Sequence, residues 1–495
     1  MAQQHLVGFQ QLLLPLGGLT GDLNSEVAIP RANRVFVNRN LRMATIDWVG
    51  FDMDYTLATY RQPEMDQLSV ELTLRGLTKL GYPDRLRRLQ FDTRFPIRGL
   101  LVDRRYGHVL KMDRHKVVYK GYHGFERLDR SLLVDLYQRP RIRPHTSRYH
   151  WIDTLFALSE VTSFCAIVNA LEKHHGPLDY GRLFSDIRSS VDTAHREGRV
   201  YAEVLSDLPR FVAKDPALAR TLHKLRSAGK RLFLLTNSPW HYTDAMMTYL
   251  LGGALPEYPT WQHYFEVVVA SAQKPDWFRS DAPLRERRGH ELVEVSTPLE
   301  RGRSYEGGNL LDFEQRLGIA GPDVLYVGDH IYGDILRSKK ESSWRTALII
   351  QELDNEVAAH ETCLVDVARL RELEERRRQL EDELRFYQLQ YKRLARAVRQ
   401  GKSSRDDAQR SKMAIERVRR EMRLSDAEEI QLSERVDRRF HPYWGSLLKE
   451  QHELSSFGLQ VEHYADLYTR SVSCLEAYSP TQFFRSPYDL MPHEL

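Results

Sequence analysis

Two aspartates two positions apart, Asp52 and Asp54, are the residues of this chain whose type and spacing best suit chemistry. They follow the apolar run 46–51, which predicts a buried strand that ends in a loop. At such a position one carboxylate can attack phosphorus while the other moves a proton, as phosphoryl transfer through an aspartyl phosphate requires. The alternative is a loop with two solvated aspartates, so the rest of the chain must decide between them.

Two further apolar runs lead into residues that can hold a phosphoryl group. The run 232–235 is followed by two hydroxyls and an amide, namely Thr236, Asn237 and Ser238. Such groups can cradle phosphate oxygens, although the same residues also serve as the N-cap of a helix. The run 267–270 is followed by Lys274, which can neutralise a transferring phosphoryl group or be an ordinary surface lysine.

A fourth apolar run, 324–327, leads into a glycine and two carboxylates. Gly328 permits a tight turn, and Asp329 and Asp334 offer the oxygen ligands that Mg²⁺ prefers. His330, which lies between them, is expected to make a local structural contact and not to bind a metal.

The apolar runs, with another at 347–350, are separated by helical stretches, which predicts an α/β fold with a parallel sheet buried on both faces. Ligands of such sheets bind beyond the carboxyl ends of the strands, where the polar residues above are placed. The long separation between 46–51 and 232–235 predicts an inserted domain with helices near 153–174 and 182–197.

The C-terminal third contains leucines and tyrosines at alternating spacings of three and four between 370 and 398. This pattern predicts a long charged helix with an apolar seam, followed by a turn at 401–404 and a second helix at about 406–435. We expect a helical hairpin whose charges form a solvated face. The seam can pack within the chain or against a partner subunit.

The composition excludes several classes of protein. The 495 residues are 42% hydrophobic, and 72 basic residues nearly balance 68 acidic ones, which does not predict nucleic-acid binding. Three widely spaced cysteines suggest a reducing compartment. We expect no membrane span and no signal peptide, and therefore a cytoplasmic protein.

The four motifs, in this order and each after an apolar run, resemble those of the haloacid dehalogenase superfamily of phosphotransferases. Longer strings narrow the resemblance to the cytosolic purine 5'-nucleotidases, the IMP/GMP-specific group. They are GFDMDYTLA at 50–58, TNS at 236–238 with YTD at 242–244, GDHIYGDIL at 328–336 and HYADLY at 463–468.

This resemblance implies that Asp52 attacks the 5'-phosphate while Asp54 protonates the departing ribose oxygen and later activates water. It implies Mg²⁺ held by Asp52, the backbone carbonyl of Asp54 and Asp329, with support from Asp334. Phosphoryl oxygens would contact the side chains of Thr236, Asn237, Ser238 and Lys274. The family also implies purine nucleoside monophosphates as substrates and a homo-oligomer, a dimer or tetramer.

Base recognition in that family comes from the inserted region, where Phe156, Arg188, Asp192 and His195 match. Arg188, Asp192 and His195 are spaced to share one face of a helix. Arg188 can donate to the O6 of a 6-oxopurine, and Asp192 can accept from N1–H and repel the bare N1 of adenine. The alternative is an internal ion pair between Arg188 and Asp192. A family lysine is Tyr201 here, a departure that affects ligand contact.

The predicted organisation is a Rossmann-like haloacid dehalogenase core interrupted by a large cap. An N-terminal extension (1–32) precedes the first part of the core (33–60), and the cap covers 61–225. The second part of the core (226–362), the helical hairpin (363–440) and a C-terminal segment that packs on the core (441–495) follow. Alternative functions are a phosphatase of the same fold with another substrate, and a non-catalytic assembly module.

Overall fold

The computed structural model describes residues 29–487 apart from 141, 290, 296–297, 337–340 and 403. Most of the predicted N-terminal extension, 1–28, therefore lies outside the described residues. The chain folds around a ten-stranded sheet, a five-stranded sheet and a pair of long C-terminal helices.

The ten-stranded sheet contains seven parallel strands with Trp48–Phe51 near the middle. In their order across the sheet these are Leu467–Thr469, Arg345–Ile349, Val324–Gly328, Trp48–Phe51, Arg231–Leu235, Val267–Ala270 and Ser304–Gly307. Antiparallel strands extend both edges, namely Phe36–Val37 on one side and Leu284–Arg288 with Glu291–Glu294 on the other. All five predicted apolar runs form strands, so the predicted parallel α/β core is confirmed.

The sequence of the central strands explains their position. Trp48–Phe51, Val267–Ala270 and Val324–Gly328 are buried along their whole length, as expected for strands covered on both faces. Because these strands are parallel, their carboxyl ends lie at one edge of the sheet, and the loops that follow them meet there. The helices that follow or cover the core strands are Pro216–Ser227, Trp240–Leu251, Leu310–Leu317 and Leu353–Thr362.

The inserted region combines helices with a second sheet that the sequence did not lead us to expect. The five antiparallel strands are, in order, Glu126–Arg127, Val118–His123, His108–Met112, Leu100–Asp103 and Tyr149–Ile152. The helices are Gln62–Lys79, Arg130–Leu133, Leu158–His175, Tyr180–Arg196, Arg199–Ser206 and Leu208–Phe211. The two connections to the core run side by side, because the short strands Thr59–Tyr60 and Val212–Ala213 pair.

The C-terminal hairpin is present, with helices Leu364–Arg399 and Arg405–Phe440 packed against each other. Leu373 and Leu380 of the predicted seam are buried. The chain then returns to the core through the helix Ser456–Tyr464 and the strand Leu467–Thr469. Two small pairs complete the fold, Leu41–Arg42 with Phe483–Phe484 and Lys449–Glu450 with Glu453–Leu454.

One segment of the described residues, Leu155–Lys173, is long and apolar enough to cross a membrane by composition alone. In this fold 78% of that window is buried inside the protein. The segment therefore packs as a core helix of the inserted region, which accounts for its apolar character without a lipid environment.

Candidate active site

The loop after the central strand Trp48–Phe51 carries both aspartates of the first motif, Asp52 and Asp54. The backbone N–H of Asp52 donates to the carbonyl of Val327 (2.9 Å), and the carbonyl of Met53 accepts from the N–H groups of Leu57 and Ala58 (3.0 and 2.9 Å). Tyr55 adopts a φ of 56°, a left-handed conformation that side chains rarely take outside constrained sites. The tight loop thus holds both carboxyl groups at the end of a rigid strand.

Lys274 is a buried ion-pair partner of the site, and the surface-lysine alternative is wrong. Its Nζ lies 2.9 Å from Asp52 Oδ1 and 2.6 Å from Asp334 Oδ1, and it donates to the hydroxyl of Tyr326 at 2.9 Å. Burial lowers the pKa of Lys274, but the charges of Asp334 and Asp52 outweigh burial and raise that pKa well above its usual range. The lysine therefore stays an ammonium group.

Three buried carboxylates, those of Asp52, Asp329 and Asp334, converge so that their ligand atoms lie within 4.8 Å of one another. Gly328 makes this approach possible, because a Cβ there would come within 2.5 Å of Asp334 Oδ2. Burial raises the pKa of Asp52 to about 7 against the opposing effect of Lys274. Burial and the charges of Asp334 and Asp52 raise the pKa of Asp329 well above its usual range.

This cluster fits a hard divalent cation. The raised pKa values of Asp52 and Asp329 indicate that burial disfavours their charged forms, and a bound cation would stabilise those charged forms. All the converging ligand atoms are carboxylate oxygens, the donors that Mg²⁺ prefers. The residues predicted from the first, third and fourth motifs are thus brought together as the sequence indicated.

Arg98, which the sequence did not single out, supports the loop that carries Asp329. Its guanidinium is completely buried, donates to the backbone carbonyl of Asp329 (3.0 Å) and forms an ion pair with Glu352 (2.6 Å). Arg98 precedes the antiparallel sheet of the inserted region, so it links that region to the loop that carries Asp329. A lone arginine in a segment without a motif offers no sequence signal for this role.

The residues after strand Arg231–Leu235 form a loop linked to Lys274 and Asp54. The side chain of Asn237 and the backbone of Lys274 exchange two hydrogen bonds, of 2.9 and 2.6 Å. The hydroxyl of Ser238 donates to Asp54 Oδ2 at 2.6 Å, and Thr236 Oγ1 accepts from the N–H of Ser238. The N-cap of the next helix is Pro239, so the N-cap alternative for these three residues is wrong.

The four residues predicted to recognise a base line one open cleft of about 580 Å³ beside the acidic cluster. Phe156 packs edge-on against Tyr55 and His195, with ring centroids 4.7 and 6.0 Å apart. Arg188 makes its ion pair with Glu160, at 3.5 Å between Nε and Oε2, and not with Asp192 among the described contacts. The cleft therefore contains exposed Arg188 and Asp192 side chains beside a partly exposed aromatic ring.

Glu160 is a second residue that the sequence did not reveal. Its carboxylate is buried at the base of the cleft, and Oε2 has no hydrogen-bond partner. Burial raises the pKa of Glu160 to about 7, although Arg188 acts in the opposite direction. Glu160 follows Phe156 by four positions at the start of an apolar helix, where it resembles an ordinary first-turn acid.

Residues 35–495 match the profile of the 5' nucleotidase family. The chain belongs to this family. It is 28% identical over 473 residues to a 5'-nucleotidase domain-containing protein of Dictyostelium discoideum, covering 93% of this chain and 74% of the relative. It is 26% identical to 5'-nucleotidase domain-containing protein 2 of Homo sapiens, covering 90% and 82%. The predicted family resemblance is confirmed, and the chain is a hydrolase of the 5'-nucleotidase type.

Two solved structures match this chain at low identity and low TM-score. CbbY of Rhodobacter sphaeroides, solved with phosphate, is 14% identical and covers 61% of this chain and 86% of its own, with a TM-score of 0.24. The HAD-hydrolase YfnB of Bacillus subtilis, bound to magnesium, is 12% identical and covers 61% and 88%, with a TM-score of 0.21.

Tyr201 and His330 lie near the site and make local contacts. Tyr201, which stands where the resemblance implies a lysine, packs at a tilt against Tyr242 with ring centroids 4.6 Å apart, and burial with the charge of Asp54 raises the pKa of Tyr201 to about 12. His330 accepts from the N–H of Gly333 at 2.6 Å, the local contact that we expected. This member of the family therefore has a neutral phenol where a cation was implied.

Proposed function

We propose that the chain is a Mg²⁺-dependent 5'-nucleotidase that removes the 5'-phosphate of IMP, GMP and their deoxy forms. The observation that carries the proposal is the convergence of Asp52, Lys274 and the carboxylates of Asp329 and Asp334 next to the cleft that contains Arg188. The cluster supplies a nucleophile with balancing charges, and the cleft supplies donors and acceptors for a purine.

In the first step, an oxygen of Asp52 forms a bond to phosphorus while the bond between phosphorus and O5' breaks. A proton on Asp54 moves to the departing O5', which leaves as the nucleoside hydroxyl. Lys274, 2.9 Å from Asp52 Oδ1, balances the charge that develops on the phosphoryl oxygens. Thr236 and Ser238 lie in the loop after strand Arg231–Leu235, and their hydroxyls would donate to the phosphoryl oxygens.

In the second step, the Asp54 carboxylate removes a proton from water as the water oxygen bonds to phosphorus. The bond between phosphorus and Asp52 then breaks, which restores the Asp52 carboxylate and releases phosphate. A nucleoside hydroxyl in the place of water would receive the phosphoryl group instead. Nucleoside phosphotransferase activity is therefore an expected side reaction of the same site.

Mg²⁺ would be held by the carboxylates of Asp52 and Asp329 and the backbone carbonyl of Asp54, with Asp334 in support. When bound, it would neutralise phosphate charge and orient the phosphoryl group for attack by Asp52. Burial disfavours the charged forms of Asp52 and Asp329, and a bound cation would stabilise those forms, which supports a role for Mg²⁺.

Preference for 6-oxopurines follows from the two exposed charges of the cleft. Arg188 would donate to O6, and Asp192 would accept from N1–H. Adenine would place an acceptor against Asp192 and a donor against Arg188, which costs binding at both positions. Phe156 and His195 would pack on the faces or edges of the base.

The test is phosphate release from a panel of nucleotides and sugar phosphates, with Mg²⁺ and with a chelator. Faster Mg²⁺-dependent release from IMP and GMP than from AMP supports the proposal. Equal rates across the panel favour a phosphatase of other specificity, and no release from any nucleotide favours an assembly module. Cytoplasmic location and assembly into dimers or tetramers stay predictions.

A further inference from the structure

Both oxygens of the Asp54 carboxyl group have a hydroxyl partner. The hydroxyl of Tyr60 donates to Oδ1 at 2.5 Å, and the hydroxyl of Ser238 donates to Oδ2 at 2.6 Å. The two partners differ in position. Ser238 belongs to the loop proposed to bind the phosphoryl group, whereas Tyr60 lies on the opposite side, in the strand that leads into the inserted region.

Tyr60 is itself held in place from several directions. It is almost completely buried, and its hydroxyl is 2.7 Å from that of Tyr242. Because the single proton of Tyr60 is donated to Asp54, Tyr242 is the donor of this second hydrogen bond. The ring of Tyr60 packs against Tyr55 and Phe156, with centroids 4.8 and 6.3 Å apart, and its backbone pairs with Val212.

We propose that Tyr60, supported by Tyr242, is a positioning residue that determines which oxygen of Asp54 carries the catalytic proton. When the Ser238 hydroxyl turns from Oδ2 to an oxygen of the bound phosphoryl group, as proposed above, Tyr60 still donates to Oδ1. The transferable proton then resides on Oδ2, which faces the phosphoryl-binding loop. This inference rests on the proposed function, since it assigns a role within the same phosphoryl transfer. It also links the acid to the base cleft, because the ring of Tyr60 contacts Phe156 directly.

The proton balance identifies the step that depends on Tyr60. The Asp54 Oδ2–H bond breaks and a new O–H bond forms on O5' as the P–O5' bond breaks, so the charge left behind rests on Asp54. Tyr60 stabilises that carboxylate through its hydrogen bond to Oδ1. Without the hydroxyl, the carboxyl group can rotate, and it loses a donor that stabilises the product of proton transfer.

A comparison of two substrates with different leaving groups distinguishes the positioning role of Tyr60 from a purely structural role. Departure of a ribose O5' needs a proton, whereas p-nitrophenolate is a stable anion that leaves without one. The value of kcat/KM reports the steps up to release of the leaving group and excludes hydrolysis of the phosphoenzyme. Tyr60→Phe should therefore lower kcat/KM for IMP by about 10- to 100-fold, part of the roughly 10²- to 10⁴-fold that general acid catalysis supplies. With p-nitrophenyl phosphate the loss should stay below about threefold.

Tyr242→Phe is a second variant with a smaller expected effect, since it keeps Tyr60 and removes only the hydrogen bond that the Tyr242 hydroxyl donates to it. It should reduce kcat/KM for IMP in the same direction but less than Tyr60→Phe. Tyr122→Phe is the matched control, because Tyr122 in the inserted region is also buried and donates through its hydroxyl, in this case to the backbone carbonyl of Tyr443 in the C-terminal segment. This control should leave kcat/KM for both substrates unchanged, and all variants should keep the wild-type melting temperature within a few degrees.

Equal losses on the two substrates, or no loss on IMP in Tyr60→Phe, would overturn the role of Tyr60. Wild-type enzyme without activity on IMP would instead contradict the purine specificity alone. The variants would then be compared on the alkyl phosphate that the wild type hydrolyses best, with p-nitrophenyl phosphate as before. Wild-type enzyme inactive on every alkyl phosphate would overturn both the proposed function and this inference.

Discussion

The ammonium group of Lys274 lies 2.9 Å from Asp52 Oδ1, and both side chains are buried in loops that follow parallel strands of the core sheet. The same ammonium group is 2.6 Å from Asp334 Oδ1. Because both ion pairs are buried, we expect the lysine to contribute to stability as well as to activity. The lysine thus places a buried positive charge within ion-pair distance of both carboxylates.

Lys274→Met should therefore destabilise the protein and abolish its activity. Removing one partner of a buried ion pair leaves uncompensated buried charge, which costs about 3–5 kcal/mol. Urea unfolding in the presence of a chelator measures the free energy of unfolding without help from a metal. Lys79→Met, at an exposed helix end, should change that free energy by less than about 0.5 kcal/mol. A Lys274→Met protein as stable as the wild type would contradict the charge balance described for the site.

Asp52→Asn should remove turnover while it preserves the fold. The amide cannot act as the nucleophile, so kcat should fall by about 10³-fold or more. The substitution keeps the shape of the side chain and removes one of three converging negative charges, so the melting temperature should not fall by more than a few degrees. Phosphate release and thermal unfolding of the same preparation check both statements. Substantial residual turnover would identify a different nucleophile.

Asp192→Asn should reduce the preference for 6-oxopurines. The amide can donate to the bare N1 of adenine, so repulsion is replaced by a hydrogen bond. We expect the ratio of kcat/KM for IMP to that for AMP to narrow by about tenfold or more. Ser189→Ala, an exposed change on the same helix, serves as the control and should leave the ratio unchanged. An unchanged ratio in Asp192→Asn would place base selection elsewhere.

The raised pKa of Glu160 predicts that the free energy of unfolding depends on pH. Its pKa rises from an ordinary 4.5 to about 7 on folding, mainly through burial, so the folded state holds a proton that the unfolded state has lost. Its contribution to stability is complete below pH 4.5 and is lost as the pH rises through 7. Glu160→Gln should therefore be more stable than wild type by about 1–3 kcal/mol at pH 8, and this advantage should vanish near pH 4.5.

Urea unfolding of both proteins from pH 4 to pH 8 measures this difference, and the groups common to both proteins cancel. A difference that is independent of pH would mean that Glu160 titrates normally in the folded state. A difference that grows toward low pH would reverse the predicted sign and would indicate a stabilising ion pair with Arg188.

The core and much of the site could be predicted from the sequence, because parallel strands that are buried on both faces consist of continuous apolar runs. Runs such as Val267–Ala270 are continuously apolar, and the polar residue after each run must lie at the same edge of the sheet. The helical hairpin could also be predicted, because the apolar residues of its seam recur at spacings of three and four over many turns. Asp52, Lys274 and Asp329 each follow such a run, so their convergence can be predicted from the sequence alone.

The inserted sheet was not predicted, and its burial explains why. His108–Met112 is buried at every position, including the polar His108 and Lys111, so no alternation of apolar and polar residues marks it as a strand. Lys111 is satisfied by Glu450, far along the chain, at 2.7 Å. Arg98 was missed because Asp329 is 231 positions away along the chain and becomes its neighbour only through tertiary folding. Tyr60 is six positions from Asp54, and their contact depends on the conformation of the intervening loop, which the sequence pattern does not specify.

The most direct test of the account is to quench the enzyme during turnover of IMP with Mg²⁺ and to locate the phosphoryl group on the protein by mass spectrometry. The account predicts a phosphoryl group on Asp52, absent in Asp52→Asn and much less abundant when AMP replaces IMP. Tyr60→Phe should slow its appearance with IMP. Turnover of IMP with no phosphorylated Asp52, or label on another residue, would contradict the account.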